Sequence, residues 1–183
     1  MAGFFKKLFG GADQAAEENP VTEAAASDTF SLLAAHMQGR VLELSQVSDP
    51  MFASGALGPG AAIEPLTGQV LAPARATVTV AFPTGHAFGL RTEDGLELLI
   101  HVGFDTVELD GKFFDAKVEK GQLVEQGQVL VDFDLEQVKA AGYQVTTPLV
   151  VTNAKKTVAD LSVLGLDQQV QAGDDFLKVD RLG

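Results

Sequence analysis

Two histidines and the short segments around them hold the side chains best suited to chemistry in this sequence. His101 lies within the apolar run 98–104, and His86 follows a turn predicted at Thr84 and Gly85. Neutral imidazole is a nucleophile near pH 7 because its unperturbed pKa is about 6.5. It accepts a phosphoryl group covalently, and a second imidazole can donate a hydrogen bond to the phosphoryl oxygens. Residue types alone leave a purely structural role open for each histidine.

The segment around His101 is predicted to be a strand with one buried and one accessible face. Side chains alternate between the two faces of an extended chain. His101 then points away from the core, next to Gly103, whose missing side chain leaves room for a partner or a substrate. The opposite face is apolar and is expected in the core; it is formed by Leu98, Ile100, Val102 and Phe104.

The other two histidines are expected in different settings. His86 is predicted on a strand, on the same face as Phe88 and Leu90. Two histidines on neighbouring strands can come side by side on one face of a sheet. His36 lies outside this arrangement.

Short apolar runs separated by Gly, Pro and Asp predict an all-β fold from about Phe30 onward. This spacing is typical of an antiparallel β-sandwich or a barrel-sandwich hybrid. Gly121 and Gly127 are spaced for consecutive tight turns, in which glycine takes positive φ. One predicted strand is expected to place Val78, Val80 and Phe82 on a common face.

One or two short helices are expected within this β fold. Residues 135–141, ended by Gly142, fit one or two helical turns, and residues 157–161 fit another.

The composition of the chain narrows the classes of partner. Its 183 residues carry a formal net charge of -12 and include no cysteine. A nucleic-acid-binding protein needs a basic surface, so nucleic acid is excluded as a partner, and partners with basic patches are favoured. The lack of cysteine excludes disulfides, thiolate catalysis and cysteine-ligated zinc within this chain.

The sequence divides into a tail over residues 1–28 and a single β domain over residues 29–183. Residues 12–28 are rich in Ala and Glu and predict a flexible acidic linker. Residues 1–10 favour a short amphipathic helix that makes a weak contact with an anionic membrane, although a frayed terminus fits equally well. The sequence shows no export signal and no apolar run of membrane-spanning length. We therefore expect a cytoplasmic protein, peripheral to the inner face of the membrane if the tail binds lipid.

Residues 95–107 resemble the active-site signature of the glucose-type enzyme IIA component of the bacterial phosphoenolpyruvate:sugar phosphotransferase system. The positions that match are Gly95, the apolar residues 98–100, His101, Val102, Gly103, Phe104, Thr106 and Val107. The resemblance covers about residues 30–180, with further matching segments at 49–53, 58–65, 70–73, 84–88, 133–135 and 147–153.

This resemblance implies a role for each matching residue. His101 is expected to carry the phosphoryl group, with His86 supporting it and Thr84 hydrogen-bonding in the same site. Asp49 and Asp105 are expected to face arginine on partner proteins. The resemblance also implies an apolar docking patch, formed by Met51, Phe52, Leu57, Phe82, Phe88 and Val107. His36 matches no functional position of the family and is expected at the surface.

The same resemblance implies the partners. The phosphocarrier protein HPr is expected to donate the phosphoryl group, and the IIB domain of a glucose-type sugar permease is expected to accept it. Regulatory target proteins that control the use of carbon sources are a further expectation. No cofactor is expected, although some members of the family bind zinc at a partner interface. His86 and His101 could supply only two zinc ligands.

Two alternative functions are open beside the carrier. In a regulatory binding module, phosphorylation would switch the choice of partner by adding about -1.5 to -2 charges. A zinc peptidase of the LytM type would use His101 and Asp105 as a His-x-x-x-Asp pair. That peptidase also needs a later His-x-His, and no histidine follows residue 101.

Overall fold

The apolar runs form strands that pair in antiparallel sheets. A computed structural model describes residues 29–183; the tail predicted for residues 1–28 lies outside the described residues. In chain order the strands are β1 (Phe30–Ala34), β2 (Gly39–Glu43), β3 (Gly60–Pro65), β4 (Gln69–Leu71), β5 (Ala76–Ala81), β6 (Ala87–Thr92), β7 (Glu97–His101), β8 (Phe114–Ala116), β9 (Leu123–Val124), β10 (Val129–Phe133), β11 (Thr147–Val151), β12 (Val158–Val163), β13 (Gln169–Val170) and β14 (Asp175–Arg181). The helices are α1 (Pro50–Ala53), α2 (Leu135–Ala140) and α3 (Ala154–Thr157), with 3-10 turns at Leu44–Gln46 and Thr106–Leu109.

The largest sheet positions both histidines. Its strands run in the order β13-β2-β3-β11-β7-β6-β5-β9, and two three-stranded sheets have the orders β1-β14-β12 and β4-β10-β8. In the large sheet β7 pairs with β11 on one side and with β6 on the other. His101, the last residue of β7, lies opposite Ala87 in β6. The residue after His86 is therefore held in register with His101.

Two apolar clusters lie on opposite faces of the large sheet. The main core contains Ile100 together with buried side chains from both smaller sheets, such as Val131 and Leu177. The smaller cluster lies on the face that carries His101 and contains Leu44, Val47, Phe52, Ala62, Phe104 and Val150. The predicted apolar face of β7 is confirmed for Leu98, Ile100 and Val102. Phe104 is also buried, but in the smaller cluster, because the strand ends at His101.

A bulge in β5 changes the face predicted for part of this strand. The β5–β6 register shifts between Val78 and Val80, so that Thr79 is an extra residue. Side-chain alternation restarts after a bulge. Val78 is therefore buried, whereas Val80 and Phe82 are exposed. The expectation that all three share one face is wrong.

The helix predictions have mixed outcomes. The first is confirmed: α2 begins after its N-cap Asp134, whose side chain accepts a hydrogen bond from the Gln137 amide, and Gly142 follows the helix with a φ of 94°. The second prediction, for residues 157–161, is wrong. The helical turn α3 ends at Thr157, and β12 begins at the next residue because this segment pairs with β14. Among residues 29–183, no helix is long and apolar enough to span a membrane.

His36 is fully buried, and its predicted surface position is wrong. Its Nε2 lies 3.0 Å from the Thr147 carbonyl oxygen, which can only accept, so Nε2 carries the proton. The ring packs on Phe176 with centroids 5.4 Å apart. Thr147 and Phe176 are both distant from His36 in the sequence, so only the fold brings them to this ring.

The tight turns predicted at Gly121 and Gly127 are confirmed by their φ values of 90° and 81°.

Candidate active site

A backbone carbonyl fixes the tautomer of His101. Nδ1 of this ring lies 2.6 Å from the carbonyl oxygen of Gly103. A carbonyl oxygen has no proton to donate, so Nδ1 carries the proton and donates it. The lone pair of the neutral ring is then on Nε2. The side chain is partly exposed, so Nε2 is the atom of His101 that can act as a nucleophile.

The conformation of Gly103 makes this hydrogen bond available. Its φ is 69°, in the left-handed region that favours glycine. A Cβ atom here would lie 2.4 Å from the Gln144 carbonyl oxygen and 2.8 Å from Cγ2 of Thr106. That same Gln144 oxygen accepts a hydrogen bond from the Phe104 amide. Gly103 was predicted to leave an open space beside the histidine, whereas in the structure it packs against the loop at Gln144.

His86 lies beside His101, as the strand arrangement predicts. The ring centroids are 5.3 Å apart and the rings meet edge to face. The carbonyl of His86 accepts a hydrogen bond of 2.6 Å from the Val102 amide, which ties the two segments together. Nδ1 of His86 is 2.5 Å from Oγ1 of Thr84, within hydrogen-bonding distance. Thr84, His86 and His101 therefore form one constellation, although His86 precedes β6 instead of lying on a strand.

Aromatic rings enclose the two histidines. Phe52 meets the His101 ring edge to face at 5.8 Å, and Phe104 stacks on it at 6.4 Å. Phe82 packs against His86 at 4.9 Å. These contacts restrict both imidazoles and limit the access of water.

Burial lowers the pKa of both histidines. The pKa of His101 falls below its usual 6.5 because burial disfavours the charged ring. The hydrogen bond to Gly103 and the charges of Asp49 and Asp105 oppose this shift without cancelling it. The pKa of His86 is lowered by burial and then by the neighbouring His101. Both rings are therefore neutral at pH 7, the state that a nucleophilic imidazole needs.

Two carboxylates flank the site from different loops. Asp49 caps α1, and its Oδ1 accepts hydrogen bonds from the amides of Met51 at 2.8 Å and Phe52 at 3.3 Å. Asp105 is exposed and precedes the 3-10 turn Thr106–Leu109. Both carboxylates act electrostatically on His101. The site can thus present a neutral nucleophile within a negatively charged rim.

Comparison with known proteins identifies a family with this fold. The family described as the phosphoenolpyruvate-dependent sugar phosphotransferase system, EIIA 1, matches residues 31–157. A glucose-specific EIIA component of Halalkalibacterium halodurans is 44% identical over 149 residues, which cover 81% of this chain and 83% of that protein. The solved structure of glucose permease IIA from Mycoplasma capricolum matches with a TM-score of 0.73 at 34% identity, over 81% of this chain and 95% of that one.

The chain belongs to this EIIA family. It is a phosphotransferase component, a phosphoryl carrier of the sugar phosphotransferase system. The chain is also 50% identical over 143 residues to a beta-glucoside-specific EIIBCA component of Halalkalibacterium halodurans. That match covers 78% of this chain but spans only 22% of the relative's length.

Within this EIIA domain, the docking patch predicted from the sequence is only partly exposed. Met51, Phe82 and Val107 are 52%, 44% and 50% exposed, and Leu57 is half-buried. Phe88 is fully buried in the main core, so its place in a docking patch is wrong. Its side chain lies on the face of β6 that the main core covers.

Phe52 is buried as well, and its predicted place in the docking patch is also wrong. Its ring lies against His101 and Phe104, in the smaller apolar cluster. Phe52 therefore supports the active-site imidazole from below the surface.

A polar pocket lined in part by Phe104 and Asp105 was not predicted from the sequence. In its lining, the Tyr143 hydroxyl donates to Oε2 of Glu108 at 3.1 Å. Ser48, in the same lining, donates to the side chain of Gln144 at 2.5 Å. No spacing in the sequence links these four residues, because the fold brings them together from three separate loops.

The EIIA domain holds no ready metal centre in the part of the chain that the structure describes. Within residues 29–183, no group of three or more His, Cys, Asp or Glu side chains could hold a metal ion. His86 and His101 lie side by side as a pair of imidazoles. The family match also favours the carrier over the LytM-type peptidase.

Proposed function

We propose that the chain accepts a phosphoryl group on Nε2 of His101 from phosphorylated HPr and passes it to the IIB domain of a glucose-type permease. The observation that carries this proposal is the hydrogen bond from Nδ1–H of His101 to the carbonyl of Gly103. It leaves Nε2 as the free lone pair in a ring that burial keeps neutral. Family membership supports the carrier role, and this geometry supports the choice of atom.

In the proposed transfer, Nε2 of His101 attacks the phosphorus atom as the bond from phosphorus to the donor breaks. The Nδ1 proton stays on the ring, hydrogen-bonded to the Gly103 carbonyl, which stabilises the positive charge that develops on the imidazole. When Thr84 donates to Nδ1 of His86, Nε2 of that ring carries the proton and can donate to a phosphoryl oxygen. Such a donor is most effective where charge develops in a site that excludes water. The acceptor then attacks the phosphorus atom, the bond from phosphorus to Nε2 breaks, and His101 returns to its neutral form.

The surface around the site suits partners with basic rims and apolar centres. Met51, Phe82 and Val107 expose apolar side chains, and Asp49 and Asp105 lie beside them. Protein interfaces commonly have an apolar core with a polar rim, and opposite charges steer the encounter. We propose that arginines of HPr and of the IIB domain meet these two carboxylates, and that regulatory target proteins use the same surface.

The proposed location is the cytoplasm, where the chain would serve a permease at the inner face of the membrane. The relatives are named for glucose and for beta-glucosides, which supports a permease for a glucose-type sugar. Contact between residues 1–10 and anionic lipid stays a prediction.

The direct test is phosphoryl transfer from labelled phosphoenolpyruvate through enzyme I and HPr. We expect acid-labile label on this chain, and none after His101→Gln. His86→Gln should still take up label but pass it to a IIB domain about a hundredfold more slowly, because one donor to the phosphoryl oxygens is lost.

His36→Gln serves as the matched control, since it alters a buried histidine outside the site. It should take up and pass on label like the parent chain once its folding is verified by circular dichroism. Undiminished labelling of the His101→Gln variant would refute the proposal.

A further inference from the structure

A groove beside the docking surface carries two lysines that form no ion pair with any residue in 29–183. It lies between residues 55–59 and residues 152–156 and encloses about 450 Å³. Leu57, which the docking patch includes, forms part of one wall, and Lys155 and Lys156 lie on the other. The groove is thus continuous with the surface proposed to receive partners.

The charge of this groove differs from that of the chain as a whole. Lys155 and Lys156 are exposed, and among the described residues neither forms an ion pair, as is also true of Lys112 and Lys120. Glu97 supplies one opposing charge to the lining, which leaves a net positive groove on a chain of net charge -12. Its chemistry therefore suits an acidic occupant with small side chains.

The chain enters the β domain close to this groove. The Thr29 carbonyl accepts a hydrogen bond of 2.7 Å from the Arg181 amide. The next amide, that of Leu182, donates to the Thr157 carbonyl at 3.0 Å. Thr157 is the last residue of α3, the helical turn that carries both lysines. Any segment that precedes Thr29 therefore starts beside α3.

The segment that precedes Thr29 has the matching composition. Residues 13–28 contain no lysine or arginine and five carboxylates, those of Asp13, Glu17, Glu18, Glu23 and Asp28. Much of the remainder is alanine. An extended chain spans at most about 3.3–3.6 Å per residue, so this segment reaches the groove easily. A tether of this length gives an effective concentration of about 1 mM, at which weak contacts become populated.

We propose that residues 13–28 dock in this groove, with their carboxylates at Lys155 and Lys156 and their alanines against the apolar wall at Leu57. The docked segment covers one rim of the docking surface and competes with incoming partners. It acts as an intramolecular strap that restrains phosphoryl exchange. The competition rests on the proposed function, whereas the docking itself does not.

The lack of cysteine makes a direct test of docking simple. Ala16→Cys introduces a single thiol for a nitroxide spin label in the full chain. Paramagnetic broadening of backbone amides is then measured by NMR, without any phosphoryl donor. We expect strong broadening at Leu57, Gly58 and Lys156 in low salt, and weaker broadening in 0.5 M salt because the charges are screened.

Matched charge reversals identify the contact. Lys155→Glu with Lys156→Glu should abolish the broadening at the groove. Lys120→Glu with Lys139→Glu makes the same change of net charge elsewhere and should preserve it. A mixture of spin-labelled chain and unlabelled isotope-enriched chain should show no broadening, since docking is intramolecular.

Two outcomes would overturn the docking proposal. One is broadening that falls off smoothly with distance from Thr29 and ignores the lysine reversals. The other is broadening at the groove that requires vesicles of anionic lipid, which would assign the two lysines to a membrane.

As a separate readout, deletion of residues 1–28 should speed phosphoryl transfer from HPr about twofold, as expected when a strap is closed about half of the time. An unchanged rate would contradict the competition while leaving the docking measurement intact.

Discussion

In the proposed transfer, the reactivity of His101 depends on one backbone carbonyl. A carboxylate partner would itself titrate, whereas the Gly103 carbonyl holds the Nδ1 proton at any pH where the ring is neutral. Residue types and strand alternation predicted His101 and His86 as a possible pair, and only the family resemblance assigned them a role and added Thr84. The carbonyl could not be predicted, because its direction depends on the positive φ of Gly103 and on a contact with Gln144 from a distant loop.

Substitution of Gly103 by alanine should impair chemistry more than its effect on stability would suggest. The new Cβ would collide with the Gln144 carbonyl and force the Gly103 backbone to move. We expect a loss of about 1–3 kcal/mol in the free energy of unfolding. Phosphoryl acceptance should slow by about tenfold to a hundredfold, because small displacements of reacting groups have large effects on rate. Urea unfolding and labelling kinetics measure the two effects.

Gly121→Ala is the matched control for this substitution. Gly121 also has positive φ, at 90°, but a Cβ there meets nothing within 4 Å. Its replacement should cost about 1 kcal/mol of stability and leave the labelling rate unchanged. Equal losses of rate in the two variants would argue against an orienting role for the Gly103 carbonyl.

At the scale of elements, the helical turn α1 links the electrostatics of the site to its packing. Its N-cap, Asp49, fixes the backbone that presents Phe52 to the His101 ring. The charge of the same carboxylate acts to raise the pKa of His101, but burial has the larger effect and lowers it. One residue therefore has a structural role and an electrostatic role that different substitutions can separate.

Asp49→Asn should keep the cap and remove the charge. Asparagine caps helices about as well as aspartate, so the free energy of unfolding should stay nearly constant. The pKa of His101 should fall further below 6.5, because a favourable charge is lost. NMR titration of the imidazole measures this shift. Asp49→Ala should lower the pKa of His101 as well and cost about 1 kcal/mol more in stability; a rise in that pKa in either variant would contradict the assignment.

The sequence predicted most elements because apolar runs and turn residues act locally. It predicted the strand at His101 and the helix α2, where Asp134 and Gly142 mark the two ends. It failed at the bulge in β5, since one inserted residue changes every following face without any local signal. It also failed at residues 158–163, where pairing with β14 decides the conformation. Pairing partners distant in sequence are the information that local patterns lack.

At the scale of the whole molecule, the large sheet separates the packing that stabilises the fold from the packing that serves the site. The main core fills one face, and the smaller cluster on the other face supports the rings around His101. His36 lies buried away from the site, and burial lowers its pKa from 6.5 to about 4. This histidine was missed as a core residue because an isolated histidine in the sequence gives no sign of burial.

His36 should make stability depend on pH in a defined window. The unfolded chain binds the proton near pH 6.5, whereas the folded chain resists it down to a pKa of about 4. Stability from this group is therefore present above pH 6.5 and lost as the pH falls from 6.5 towards 4. Between pH 7 and pH 5 the loss should be about 2 kcal/mol, measured by urea unfolding.

The comparison variant is His36→Gln, whose side-chain amide can still donate to the Thr147 carbonyl. Its stability should fall by about 2 kcal/mol less over the same pH interval. The contributions of His86 and His101 remain in both proteins and cancel in the difference. Parallel pH profiles for the two proteins would show that His36 does not titrate as its burial requires.

The central claim is that Nε2 of His101 carries the phosphoryl group while Nδ1 stays protonated against Gly103. NMR of the phosphorylated, nitrogen-15-labelled chain tests it by long-range correlations within each imidazole and by coupling of phosphorus to the ring nitrogen. We predict phosphorus coupled to Nε2 of His101, a protonated Nδ1 on the same ring, and no phosphorus on His86 or His36. Phosphorus on Nδ1 of His101, or on either of the other histidines, would contradict the account.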